Sequence, residues 1–131
     1  MENQLMAYFQ QQINKNKVSL QKCNRVSEHF GLSLTEEQMT LLNQNRIETL
    51  QKTGRIEFGE GILEKLVYVF CDSPYIQQDE YAQLLIDLQE LFYILKGETQ
   101  GKMTDDELLA AMRRTFDSSG GSLERLKGGE L

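Results

Sequence analysis

The residue types best suited to metal binding and nucleophilic catalysis are scarce in this chain. It has two cysteines, Cys23 and Cys71, and one histidine, His29. On a helix, the spacing between Cys23 and His29 puts them on nearly opposite faces, so they cannot hold one ion together. Because there is also no C-x-x-C pair, the sequence predicts no bound metal and no other cofactor. We expect both cysteines to be buried, reduced thiols.

Two glycine- and carboxylate-rich stretches lack the spacing that phosphate or calcium binding requires. Gly59-Glu60-Gly61 begins a dinucleotide-type glycine pattern, but Glu64 replaces its third glycine, and glutamates repel phosphate. The stretch from Asp117 resembles an EF-hand loop, yet Ser122 and Gly128 stand where glycine and glutamate are needed. We therefore expect neither nucleotide nor calcium binding here.

No local signature of catalysis is present. The chain has no G-x-S-x-G pattern, and a pairing of His29 with Cys71 would have no charge-tuning neighbour readable from the sequence. Asp, Glu, Tyr or Arg side chains that a fold brings together leave no local spacing, so an enzyme stays an open alternative. The sequence favours a protein that is not an enzyme.

The elements that must position any site are helical. Apolar residues recur at helical spacing along nearly the whole chain, and Pro74 is the single proline. We predict an all-α fold: an irregular bundle of about five helices with a short C-terminal helical turn, forming one domain over residues 1–131 with a frayed tail at 127–131. The apolar stripe of the first helix is Leu5, Phe9, Ile13, Leu20, Cys23, Val26 and Phe30, and the polar run 14–17 leaves open whether this helix is continuous.

Capping signals fix two helix starts. Thr35 with Gln38, and Thr104 with Glu107, have the spacing of a capping box. The helix that follows Thr35 is predicted to end at Gly54. Its inward side chains are expected to be Met39, Leu42, Ile47 and Leu50. A third helix, beginning near Ile62, has a wide apolar arc and is expected near the centre of the core, and a fourth repeats apolar residues from Tyr81 to Leu95.

Composition narrows the classes of partner. The chain has 131 residues and a net charge of −6. This negative charge argues against sequence-independent binding of nucleic acid and against binding of anionic lipid. A basic patch on the first helix, formed by Lys15, Lys17, Lys22 and Arg25, would be needed for nucleic-acid binding. The longest apolar run, 66–71, is far too short for a membrane span, and no secretory signal is visible. We expect a cytoplasmic protein.

Two segments beside the third helix combine charge, aromatic surface and loop conformation. One contains Arg55 and Glu57, and the other contains Tyr75. The helix between them separates the segments, so they form two candidate partner-binding sites rather than one. The alternative, which we favour, is that Arg55 makes a structural ion pair and that Pro74 opens the fourth helix with Ser73 as its cap.

Six short stretches of the chain carry a resemblance to a known family: Leu34-Thr35, Gly54-Arg55-Ile56-Glu57-Phe58-Gly59, Asp72-Ser73-Pro74-Tyr75-Ile76, Phe92-Tyr93, Asp105-Asp106-Glu107-Leu108 and Gly121-Ser122-Leu123-Glu124. With these stretches the chain resembles a family of uncharacterised proteins from Clostridia-like Firmicutes, a domain of unknown function. The resemblance spans nearly the whole chain. It implies a bacterial, cytoplasmic, helical protein and supplies no catalytic residues.

Two hypotheses for the function follow. The first is a non-enzymatic interaction module, an adaptor or accessory subunit that binds an unknown protein partner or itself. The chain combines amphipathic helices with tyrosines, a residue type favoured at interfaces, at Tyr68, Tyr75, Tyr81 and Tyr93. The alternative is a small-molecule-binding or catalytic helical domain with a pocket between the third and fourth helices. The alternative requires a cavity lined by aromatic residues with at least one buried ionisable group.

Overall fold

A computed structural model describes residues 2–57 and 61–131, and among residues 2–13 it describes only the side chains of Ala7 and Gln11. The predicted stripe over Leu5, Phe9 and Ile13 and the glycine pattern at Gly59-Glu60 therefore lie outside the described residues. The described part is all-α, as predicted. Its elements are α1 Glu2–Glu28, α2 Glu36–Thr53, α3 Ile62–Phe70, a 3₁₀ turn at Gln78–Glu80, α4 Tyr81–Glu98, α5 Asp105–Ser118 and the short α6 Glu124–Lys127.

Both predicted capping boxes are confirmed. The Thr35 hydroxyl accepts from the Gln38 backbone N–H, and the Gln38 side chain accepts from the Thr35 backbone. The same reciprocal bonds start α5 at Thr104. Helix α2 ends at Gly54, whose φ of 66° is the left-handed conformation that glycine adopts most readily. Helix α1 runs without a break through residues 14–17.

Helix α3 lies at the centre of the core, as its wide apolar arc predicts. It packs against α1, α4 and α5, and α2 packs against α1 and α4. The Phe70 ring meets Phe116 of α5 edge to face, with ring centroids 5.5 Å apart. Both cysteines are buried in this region, and burial raises the pKa of the Cys71 thiol, with a smaller contribution from Asp72. Burial thus favours the protonated thiol.

Two local predictions are wrong. Ile47 was expected to point inward, but its side chain is 41% exposed, and Arg46 and Thr49 are buried instead. The predicted inward residues Met39 and Leu42 are buried, and their face continues at helical spacing to Arg46, which pairs with a buried carboxylate, and to Thr49. Pro74 does not open α4: it lies in a turn several residues earlier, where the Ser73 hydroxyl donates to Asp117.

None of the described helices is long and apolar enough to cross a membrane.

Candidate functional site

The buried charges of the described part of the chain meet where α2 passes the start of α3. Arg46 of α2 donates through Nη2 to Glu64 Oε1 of α3 at 2.5 Å, and both side chains are about 3% exposed. Burying such a pair costs desolvation energy that is repaid only when the remaining polar atoms also find partners. Here Arg46 Nε and Glu64 Oε2 have no hydrogen-bond partner among the described residues. Within residues 2–57 and 61–131, the pair therefore leaves one donor and one acceptor without a partner.

Glu57, from the connector between α2 and α3, brings a second carboxylate to the same place. A Cβ built on Gly61 would lie 2.3 Å from Glu57 Oε2 and 2.6 Å from Glu64 Oε2. Both oxygens thus approach one side of Gly61 and are at most about 5 Å apart. Gly61 has an ordinary extended conformation, with φ of −73°, so its backbone angles do not require glycine, and a side chain here would have to displace the two carboxylate ends.

Burial raises the pKa of the Glu57 carboxyl above its ordinary value of 4.5. Arg46 opposes this shift, Glu64 adds to it, and a hydrogen bond from Tyr93 opposes it. The Tyr93 hydroxyl donates to Glu57 Oε1 at 3.4 Å. Burial also raises the pKa of the Tyr93 phenol, as does the neighbouring Glu57, so the phenol stays a proton donor. Arg46 of α2, Glu64 of α3 and Tyr93 of α4 are thus the titratable groups that act most strongly on Glu57.

In front of this cluster lies a pocket of about 330 Å³. Its wall is formed by the connector, the start of α3, two aromatic residues of α4 and the first residue of α5. Arg55 lies over the Tyr93 ring, 6.0 Å from guanidinium carbon to ring centroid. Asp105, on the α5 side, is already paired with Lys96 at 2.9 Å. The residues lining the pocket are Arg55, Ile56, Glu57, Ile62, Phe92, Tyr93 and Asp105.

The structure brings together two of the three residues selected from the sequence. Arg55 and Glu57 both line the pocket. Tyr75 lies beyond the opposite end of α3, where its Cβ is 2.6 Å from the position that a Cβ on Gly121 would occupy. Arg55 contacts the ring of Tyr93, and no ion pair of Arg55 is found in the described part of the chain.

Sequence reasoning missed the residues behind the pocket. Arg46 follows Met39 and Leu42 at spacings of seven and four residues, which is the signal that it shares their inward face. Apart from Glu64 and Lys65, the residues of α3 are apolar or aromatic, and a carboxylate in such a run is a sign of a buried partner. Tyr93 was assigned to the interface-type tyrosines, although its ring is nearly buried.

Two other cavities in the described part of the chain have no comparable cluster of buried charged groups. An open groove of about 580 Å³ runs between α3 and α5, and a pocket of about 280 Å³ lies between α1 and α2. Neither is backed by a buried ion pair among the described residues. In the same part of the chain, no group of three or more His, Cys, Asp or Glu side chains is placed to hold a metal ion.

Fold and site together define a small all-α domain with an aromatic-walled pocket backed by buried charge. The chain belongs to a family of unknown function, DUF6323, whose model matches residues 19–131. The resemblance to a family of unknown function is thereby confirmed, while a bacterial origin and a cytoplasmic location stay predictions. No curated protein and no solved structure matches the chain.

Proposed function

We propose that the protein is a small-molecule-binding helical domain whose ligand occupies the pocket between the connector, α3 and α4. The observation that carries this proposal is the placement of the buried Arg46–Glu64 pair behind a pocket lined by Phe92 and Tyr93, with a Glu64 oxygen that has no donor among the described residues. Such a pair is often no more stabilising than well-packed apolar residues. The presence of this buried charged pair next to the pocket is better explained by a function of the pocket than by a contribution to stability.

The dimensions and lining of the pocket agree with a ligand site. Its volume of about 330 Å³ lies at the lower end of the range of about 300–1,000 Å³ typical of ligand pockets. Phe92 and Tyr93 supply apolar surface, and Arg55 and Glu57 supply polar groups of opposite charge that can orient a ligand. The described lining contains no histidine, cysteine, serine or lysine. The side chains that are present therefore favour ligand binding over catalysis.

Native mass spectrometry tests this proposal. The tagged protein would be incubated with a small-molecule extract of the source organism and compared with two variants, Ile56→Trp and Ile94→Trp. Both isoleucines are exposed, at 77% and 54%, but Ile56 lies at the pocket and Ile94 lies in the groove between α2 and α4. We expect an added ligand mass on the wild type and on Ile94→Trp, and its loss in Ile56→Trp, whose indole covers the pocket mouth. No added mass on the wild type, or equal retention in Ile56→Trp, would count against the proposal.

A second candidate function is a protein-interaction module, with the adaptor or accessory role and the self-association that the sequence suggests. It is favoured by the exposure of Ile56 between the charged residues Arg55 and Glu57. Tyr75, with 47% of its surface exposed, would form a separate contact. Sedimentation equilibrium tests self-association: a dimer in the wild type that dissociates in Ile56→Asp but not in Ile94→Asp supports this role, and a monomer at all concentrations contradicts the self-association.

A further inference from the structure

We infer that the ligand of this pocket carries a compact organic cation, a primary ammonium group, which Glu57 receives beside the ring of Tyr93. This inference rests on the proposed function and gives the chemical class of the ligand.

The charges at the back of the pocket are unbalanced. Arg46 is one guanidinium facing two carboxylates: it pairs with Glu64 at 2.5 Å, and it also acts on Glu57 from a longer distance. Among the described residues, Glu57 has no cationic partner within 4 Å. With all three groups ionised, this buried cluster carries one negative charge in excess. Arg55, the cation in the described lining, lies at the exposed side of the pocket and is not within ion-pair distance of Glu57.

The unsatisfied groups behind the pocket are one acceptor, Glu64 Oε2, and one donor, Arg46 Nε, in the described part of the chain. Glu57 Oε2 approaches the same side of Gly61, while the Tyr93 hydroxyl donates to the other oxygen of Glu57. Of Arg46, Glu57 and Glu64, only Glu57 is among the described residues that line the pocket, so a ligand that meets this carboxylate must bring a donor. An ammonium group has three donors and no acceptor.

The aromatic wall suits a cation. A positive charge is attracted to the face of a tyrosine ring, and the ring of Tyr93 already lies beside one, the Arg55 guanidinium at 6.0 Å. Arg55 is exposed at the mouth of the pocket, and Asp105 is neutralised by Lys96. The carboxylate that remains for the ligand is thus Glu57.

Proton binding and amine binding compete at this carboxylate. Burial makes Glu57 easier to protonate, and a protonated carboxyl no longer attracts an ammonium group. Arg46, Glu64 and Tyr93 face Glu57 from the three neighbouring helices, and Arg55 and Asp105 face it across the pocket. We therefore expect amine binding to strengthen as the pH rises through the pKa of Glu57.

Three probes of nearly equal shape test the inference: benzylamine, benzyl alcohol and benzoate. Each is titrated at millimolar concentration into the ¹⁵N-labelled protein, following the backbone signals of Gly61 and Tyr93. The matched variants are Glu57→Gln and Glu90→Gln, each of which removes one carboxylate; Glu90 is exposed on α4 and lies outside the pocket, in the groove between α2 and α4. We expect benzylamine to bind most tightly, to lose about tenfold or more in affinity in Glu57→Gln, and to bind Glu90→Gln as well as the wild type. Both variants are checked for native circular dichroism first.

The outcomes separate the two proposals. Benzoate or benzyl alcohol binding in the pocket as tightly as benzylamine would overturn the amine inference but keep the pocket as a ligand site. Benzylamine binding that is equal in the wild type and in Glu57→Gln would also overturn the inference. If none of the probes shifts either signal, the amine inference is wrong, and the native mass spectra then decide separately on the proposed function. Should Glu57→Gln fail to fold, Tyr93→Phe gives the second comparison: it removes the donor to Glu57 and is expected to keep benzylamine ahead of benzoate.

Discussion

Replacement of Arg46 by methionine should cost more stability than replacement of its partner Glu64 by glutamine. Arg46 pairs with Glu64, and it is also the cation whose charge acts on Glu57. Its removal therefore leaves two carboxylates in the fold without a cation. When Glu64 loses its charge instead, Arg46 still has Glu57 beside it.

The structure sets the expected magnitudes. Removing one partner of a buried ion pair typically costs about 3–5 kcal/mol. Since both side chains are about 3% exposed and two carboxylates lose their cation, we expect about 4–5 kcal/mol for Arg46→Met. Glu64→Gln keeps an acceptor oxygen and should cost about 2–3 kcal/mol, close to one hydrogen bond to a charged group. The double variant Arg46→Met/Glu64→Leu should return to within about 1 kcal/mol of the wild type or exceed it.

The assay is urea unfolding at neutral pH. The chain has no tryptophan, so the transition is followed by far-ultraviolet circular dichroism. If both single variants lose the same free energy of unfolding, Glu57 does not stabilise Arg46 when Glu64 has lost its charge. A double variant as unstable as Arg46→Met would refute the claim that the pair contributes little net stability.

Three further predictions concern other parts of the structure. Gly61→Ala should lower the free energy of unfolding by about 1–3 kcal/mol, because its methyl group crowds the two carboxylates. Adding Glu57→Ala to this variant should restore part of that stability. Gly54→Ala should lose about 1–2 kcal/mol through its left-handed backbone, and Glu57→Ala should not restore it; urea unfolding measures both. Because burial raises the pKa of Glu57, the folded state binds this proton more tightly than the unfolded chain. Stability from this group is therefore lost as the pH rises from about 4.5 through the folded-state pKa. The free energy of unfolding of Glu57→Gln, measured relative to the wild type, should therefore be higher at pH 7 than at pH 4. A difference between the two proteins that does not change with pH would contradict this. Thr104→Ala should cost about 1 kcal/mol, the usual value of an N-cap, and an unchanged melting temperature would be the contrary result.

Much of the fold follows from local patterns in the sequence. The two capping boxes and the left-handed Gly54 are read directly from residue type and spacing, because these signals depend on neighbours along the chain. The central position of α3 follows from its wide apolar arc in the same way.

The site could be predicted only in part. Arg55 and Glu57 are recognisable as a charged loop, but nothing local shows that Tyr93, some 36 residues after Glu57, closes the same pocket. Arg46 was missed because an aliphatic neighbour, Ile47, is the better candidate for burial when hydropathy alone is considered. The preference reverses once the fold places Glu64 opposite, and this long-range pairing leaves no spacing in the sequence.

Whether the pocket is a ligand site is decided by a crystal structure of the protein incubated with the small-molecule extract. We expect new electron density in contact with Glu57 and the Tyr93 ring. Density confined to the groove between α3 and α5, or a pocket that holds only water in the presence of a bound ligand mass, would contradict it.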